Sequence, residues 1–303
     1  MSQHLTHLIL ITEVFLMQST TNSIIRLYKP TKQEFLSQVK QGKPFLINGV
    51  ADQWNAYKNW SNDYLVNVCG DNLVPVETYA KNFSQNYNYA CLDNYHRKPM
   101  PFKKYLDVVN GNYNDDNYSY YMAQVDFPKY FPELVKDIVY PEYFQKKPKV
   151  TYLFFGFSNQ KSTSTSYLHF DEVHNIFVQI RGQKRFLLYP PSNYLSFYPF
   201  LEDNRQTSTM SKVNPDKANM ESFPNFPWQD KIEIILEAGD ILYLPPFWWH
   251  HVTSVSENIS LTFWYPPSVK DFFTQTGFFS SFCQMAPHVL PRMLTSELKK
   301  SLT

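Results

Sequence analysis

The sequence predicts a mostly β protein with flanking helices, and three observations carry that reading. Residues 150–266 run as short β-branched and aromatic stretches separated by turn signals, the pattern of an antiparallel sandwich or barrel. Residues 24–145 read as mixed α/β, and the tail after Ser268 returns to a helical period. The 303 residues suffice for one large β-rich domain or two ordinary ones, and 43% hydrophobic with 17% aromatic content supplies the core.

The elements follow in order. Leu8 to Leu16 is apolar like a signal segment, but it lacks a basic flank, contains Glu13 and shows no small-residue cleavage pattern. Residues 1–23 are therefore read as a poorly structured extension or a start placed upstream of Met17. Between 24 and 149 the sequence predicts helices over Thr31–Val39, Asn62–Val68 and Pro101–Val109, and strands over Pro44–Ile47, Leu73–Thr78 and Tyr118–Gln124. The β core takes residues 150–267. Asn175–Ile180 and Lys184–Tyr189 flank Arg181-Gly182-Gln183 as a predicted hairpin, and Ile232–Leu236 with Ile241–Leu244 flank Glu237-Ala238-Gly239-Asp240 as a second. Between them lies a polar insertion, 202–230, of a length that is usually functional. Residues 268–303 are predicted as aromatic helices that form a homodimer contact.

Composition narrows the function. The formal charge is +1 with basic residues scattered, so there is no strong nucleic-acid-binding signal. Cys69, Cys91 and Cys283 are far apart and form no CxxC pair, which argues against a zinc ribbon and a disulfide framework and favours a reducing, cytoplasmic setting. No stretch is long and apolar enough for a membrane span.

The chemistry centres on His169-Phe170-Asp171. Residues two apart on a strand share a face, so an imidazole and a carboxylate can meet one ion there. A histidine from Pro245-Pro246-Phe247-Trp248-Trp249-His250-His251 completes three ligands. Two histidines and one carboxylate with open positions is the ligand set of non-haem Fe(II) oxygenases. Adjacent strand residues point to opposite sides, and spacing alone does not choose between His250 and His251. Lys184 shares parity with Phe186 and Leu188 and so points inward, where a lone ammonium is costly unless an anion meets it. Asn175 falls on the odd-numbered face with His169 and Asp171 if the strand is uninterrupted.

The run from Tyr167 through His169, Asp171, Asn175 and Lys184 to Pro191, followed by Leu236 to Val252 and Leu261-Thr262-Phe263-Trp264, resembles the JmjC-type oxygenases that use Fe(II) and 2-oxoglutarate. The likeness is nearest to their small protein-hydroxylase branch, which includes the asparaginyl hydroxylase acting on hypoxia-inducible factor. The resemblance implies a double-stranded β-helix, or cupin-like, jelly-roll core with His169, Asp171 and His250 on Fe(II). It implies that Lys184 pairs with the distal carboxylate of 2-oxoglutarate, that Tyr121 bonds the same group, and that Ser166 does likewise where the family often has threonine. It places Asn175 near the metal-proximal end and Trp264 in the pocket wall. Thr262 stands where close relatives have asparagine, a departure that keeps a hydroxyl.

The implied reaction consumes O2 and decarboxylates 2-oxoglutarate to succinate and CO2 while hydroxylating an amino-acid side chain of a protein or peptide. An N-methyl-lysine demethylase, a hydroxylase of a small molecule or modified tRNA nucleoside, and a non-catalytic cupin binding module are the alternatives. The first is disfavoured by the lack of a reader module, zinc finger or basic extension in this sequence, and the last by the joint presence of His169, Asp171, His250 and Lys184.

Overall fold

A computed structural model describes residues 24–80, 96–113, 115, 117–144, 146–158, 163–191, 193–201 and 207–269, together with 271, 279 and 282–288. The predicted N-terminal extension and most of the predicted C-terminal helices lie outside the described residues, although 282–288 is helical.

Local chemistry sets the first elements. Strand β1 (Ile25–Tyr28) leads to helix α1 (Lys32–Val39). Thr31, predicted inside that helix, is its N-cap: its hydroxyl accepts from Glu34 N while its own N–H donates to the Glu34 carboxylate, a capping box. Phe35 and Val39 bury the inner face. Strand β2 (Phe45–Asn48), helices α2 (Asn55–Asn59) and α3 (Asn62–Cys69) and strands β3 (Leu73–Ala80) and β4 (His96–Pro101) follow. Helix α4 (Phe102–Val109), strand β5 (Tyr118–Asp126) and the single turn α5 (Phe127–Tyr130) complete the N-terminal part. The core strands are β6 (Val150–Gly156), β7 (His174–Arg181), β8 (Lys184–Tyr189), β9 (Ile232–Leu236), β10 (Ile241–Leu244), β11 (Trp249–Ser254) and β12 (Asn258–Tyr265).

Among the described residues these strands form a nine-stranded sheet in the order β1-β2-β10-β7-β12-β6-β5-β3-β4 and a three-stranded sheet in the order β11-β8-β9. Neither predicted hairpin exists. Strand β7 pairs with β10 and β12, whereas β8 pairs with β9 and β11. The Arg181-Gly182-Gln183 and Glu237–Asp240 turns carry the chain from one sheet to the other, which is how a cupin-like jelly roll is wound. The turns bond to other turns: Gln183 N donates to Ser256 Oγ at 3.0 Å and Val255 N to Gln183 O at 3.1 Å. Gly182 has a φ of +66°, and a Cβ there would run into the Glu257 carbonyl. Arg181 ties the corner to Trp60 O and to Asn62 and Glu257.

The large sheet has two unlike faces, as strand alternation requires. Leu153, Phe155, Ile176, Val178, Ile180, Leu261 and Phe263 point outward into one core with α1, α3 and α4. Tyr152, Phe154, Gly156, Asn175, Phe177, Thr262 and Trp264 share the opposite parity and point toward the small sheet. There Phe177 meets Phe186 with ring centroids 5.0 Å apart, and Leu46, Leu188, Leu236, Leu242 and Leu244 fill the same space. A third cluster, with Phe170, Tyr194, Phe197, Phe226 and Trp249, lies behind the small sheet.

Candidate metal centre and co-substrate pocket

The candidate metal-ligand residues are held by backbone pairing. The segment 164–169 runs alongside β11: Ser166 N donates to Val252 O at 2.9 Å, His169 N to His250 O at 3.0 Å, and His250 N to His169 O at 2.7 Å. His169 is an isolated bridge rather than part of a regular strand, with His250 on one side and Met210 on the other. The insertion contributes that second side, through Phe170 N to Thr209 O at 3.0 Å and Ser211 N to Leu168 O at 2.8 Å. The predicted insertion thus helps to fix a ligand, with Val213 and Phe226 buried and Phe223 and Trp228 packed beside them.

One nitrogen or oxygen from each of His169, Asp171 and His250 lies within 4.8 Å of the others. The His169 Nδ1–H donates to Tyr167 O at 2.8 Å and the His250 Nδ1–H to Trp248 O at 2.9 Å, which turns both Nε2 atoms toward the ion position. Asp171 accepts a hydrogen bond from the Asn175 side chain, and its own carbonyl accepts from Phe247 N at 2.7 Å. Burial, reinforced by His169, pushes the His250 imidazole well below its ordinary range and keeps it neutral. Burial also pushes the Asp171 carboxyl up, against the opposing pull of His169 and Asn175. A neutral His250 imidazole, the His169 imidazole and a half-buried Asp171 carboxylate suit a divalent metal.

The choice between the adjacent histidines is resolved by parity. His250 faces inward, while His251 faces outward and meets Asp216 of the insertion, Nε2 to Oδ2 at 2.9 Å. Asp216 also accepts from Arg185 Nη1 at 2.6 Å, and Arg185 Nε donates to Glu233 at 2.6 Å. His251 and Arg185 hold the Asp216 carboxyl well below its usual range. Sequence reasoning missed this clamp, because Asp216 lies in a polar loop with no periodicity. Asp216→Ala removes the carboxylate that joins the 2% exposed His251 imidazole to Arg185, so it is expected to destabilise the fold by roughly 1–3 kcal/mol without touching His169, Asp171 or His250. Denaturant unfolding beside a metal titration checks both halves.

Deeper in, Lys184 is 1% exposed, and among the described residues no carboxylate pairs with it. Its Nζ sits 5.1 Å from the Phe154 ring centroid and 5.2 Å from that of Phe177. Burial pushes its ammonium down to about 7. Tyr121 lies on β5, directly opposite Glu77 of β3; burial, then Glu77, drives its hydroxyl up. Ser166 accepts from Val252 N at 3.0 Å and is anchored to β11. Asn175 and Trp264 are register partners on β7 and β12, with Thr262 two residues along. Asn175 Oδ1, Thr262 Oγ1, Trp264 Nε1 and Ser254 Oγ are buried without hydrogen-bond partners among the described residues. A buried cation and a set of unmatched polar atoms beside the triad fit a small, oxygen-rich anion. Asn175, Thr262 and Trp264 share this inward face, although the bend at Glu172-Val173 interrupts the strand on which the parity expectation for Asn175 depended; Ser254 was overlooked although it repeats the His250 parity twice over.

Residues 31–271 match the family described as the Cupin-like domain. The chain belongs to the cupin-like domain family. Similar curated proteins extend this to its JmjC members. JmjC domain-containing protein D of Dictyostelium discoideum is 33% identical over 252 residues, 77% of this chain and 54% of its own length. Lysine-specific demethylase JMJ30 of Arabidopsis thaliana is 32% identical over 233 residues, 74% of this chain and 50% of its own. tRNA wybutosine-synthesizing protein 5 of Gallus gallus is 27% identical over 257 residues, 77% of this chain and 74% of its own. This cupin-like domain spans about half the length of the first two relatives. Their names support the JmjC resemblance at large and do not single out the asparaginyl-hydroxylase branch. No helix among the described residues is long and apolar enough to cross a membrane.

Proposed function

We propose that this cupin-like domain is an Fe(II)- and 2-oxoglutarate-dependent oxygenase that hydroxylates an amino-acid side chain of a protein. The observation that carries the reading is Lys184, a buried ammonium with no carboxylate partner among the described residues, on the inward face that also carries His250 of the His169, Asp171 and His250 set. In this reading those three residues hold Fe(II) on one face, leaving positions for the co-substrate and O2. When bound, the iron and 2-oxoglutarate supply oxidative decarboxylation coupled to the insertion of one oxygen atom into a C–H bond. The chain's own task is to bind and to shield. Lys184, Tyr121 and Ser166 receive the far carboxylate, and Asn175 orients Asp171 through their hydrogen bond. Thr262 offers its hydroxyl near the co-substrate carboxylate, and Trp264 forms part of the pocket wall with Tyr152, Phe154 and Phe177, an aromatic surface against water.

The likeness of the His169–Pro191 and Leu236–Val252 motifs to the protein-hydroxylase branch supports a protein substrate. The demethylase reading is supported by the name of the Arabidopsis thaliana relative, and a tRNA-nucleoside substrate by that of the Gallus gallus one. Purified protein supplied with Fe(II) and 2-oxoglutarate is expected to form succinate slowly without substrate, and mass spectrometry of incubated proteins should find a gain of one oxygen atom. Release of formaldehyde from methylated peptides would move the assignment to demethylation, and oxygen gain confined to tRNA nucleosides would move it to RNA.

A further inference from the structure

Ser254 ends the strand that carries His250. Positions 250, 252 and 254 share one parity, so the Ser254 side chain enters the same interior as the metal ligand. The β8–β11 register sets Ser254 directly opposite Lys184. The residue is 3% exposed, and its Oγ has no partner among the described residues, while its backbone N–H is satisfied by Ser164 O at 2.9 Å. The hydroxyl is therefore not needed to hold the strand. Gly156 closes the same corner from β6: a Cβ there would lie 2.5 Å from Ser254 Oγ and 3.2 Å from Tyr121 Cε2. Lys184, Tyr121, Ser254 and Gly156 thus surround one buried spot, with a cation, a hydroxyl lacking a partner and a site where a side chain does not fit.

We propose that Ser254 is a further binding residue for the far carboxylate of 2-oxoglutarate, donating its hydroxyl hydrogen to the anion that Lys184 neutralises, with Gly156 bare to leave room for that contact. The inference rests on the reading of Lys184 as the carboxylate anchor. A buried hydroxyl whose partner arrives only with the ligand gives opposite signs in two measurements. Removing it relieves an unsatisfied group in the ligand-free protein and costs a charge-assisted hydrogen bond in the bound one.

The test is equilibrium titration of Mn(II)-loaded protein without oxygen, using 2-oxoglutarate and 2-oxopentanoate, a keto acid of the same chain length that lacks the far carboxylate. Ser254→Ala is expected to weaken 2-oxoglutarate about tenfold, to leave 2-oxopentanoate and Mn(II) affinities unchanged, and to raise the Tm of the ligand-free protein. Gly156→Ala, which keeps the hydroxyl and removes its room, is expected to weaken 2-oxoglutarate as well. Unaltered 2-oxoglutarate affinity in Ser254→Ala, an equal loss for both keto acids, or a lower Tm would each overturn the proposal. Lys184→Met separates the two levels. If it leaves 2-oxoglutarate binding intact, the anchor reading itself fails; if it weakens binding while Ser254→Ala does not, only the inference about Ser254 fails.

Discussion

Asp171→Ala is expected to abolish iron binding and with it all succinate formation, while the metal-free protein becomes more stable. The two effects share a cause. Asp171 is a half-buried carboxylate whose charge, in the metal-free protein, is relieved by His169 and by a hydrogen bond from Asn175. Its carboxyl is raised above the ordinary range, so the native state binds protons more readily than the unfolded chain there, and the stability of the metal-free protein falls as pH rises through that interval. Alanine removes this penalty, for a gain of roughly 1–2 kcal/mol. The same substitution deletes the only carboxylate of the ligand set, and two imidazoles do not hold Fe(II) in an oxygenase geometry. Metal analysis after gel filtration and calorimetric Tm without metal measure the pair. Retention of stoichiometric iron by Asp171→Ala would remove the basis for an oxygenase.

Lys184→Met is expected to leave iron bound and to raise the 2-oxoglutarate requirement by about 100-fold, the loss for a buried charge-assisted contact. It also has a signature that needs no co-substrate. Burial pushes the Lys184 ammonium from its ordinary 10.5 down to about 7. Between those values the unfolded chain holds a proton that the native state has shed, so stability rises with pH across that window by about 1.4 kcal/mol per unit. Methionine fills a similar volume without titrating, and the slope should flatten. Urea unfolding of metal-free protein at several pH values above 7 compares the two slopes; matching slopes would mean that the ammonium is solvated.

Parity along a single strand made part of the inward face legible: Lys184 with Phe186 and Leu188 is an alternation that a reader can count, whereas the count from His169 to Asn175 is broken by the bend at Glu172-Val173 before β7 begins. Short-range turn chemistry was less faithful. Arg181-Gly182-Gln183 has the composition of a hairpin, yet Gly182 is needed there because Glu257 crowds it, and the strands on either side join different sheets. A local signal tells that the chain turns; which sheet receives it depends on contacts with residues far along the sequence. His169 shows the same limit, since it gains its extended geometry from His250 and Met210 rather than from a strand of its own. Asp216 and Ser254 went unread for opposite reasons, the first being a loop residue without a pattern and the second having a pattern whose meaning depends on the strand beside it.

The division of the large sheet into an outward face that packs against the helices and an inward face that lines the pocket separates two kinds of selection. Ile176, Val178, Leu261 and Phe263 carry the fold, and a change there is felt as lost packing. Tyr152, Phe154, Thr262 and Trp264 alternate with residues of that kind but face the small sheet, where the proposed co-substrate space lies. In the proposed reading, their replacement would alter what is bound while leaving the outward packed layer in place. Changes on the inward face can therefore accumulate without first unpacking the outward one, and the similar proteins, one named a lysine-specific demethylase and another a tRNA wybutosine-synthesizing protein, are compatible with that separation.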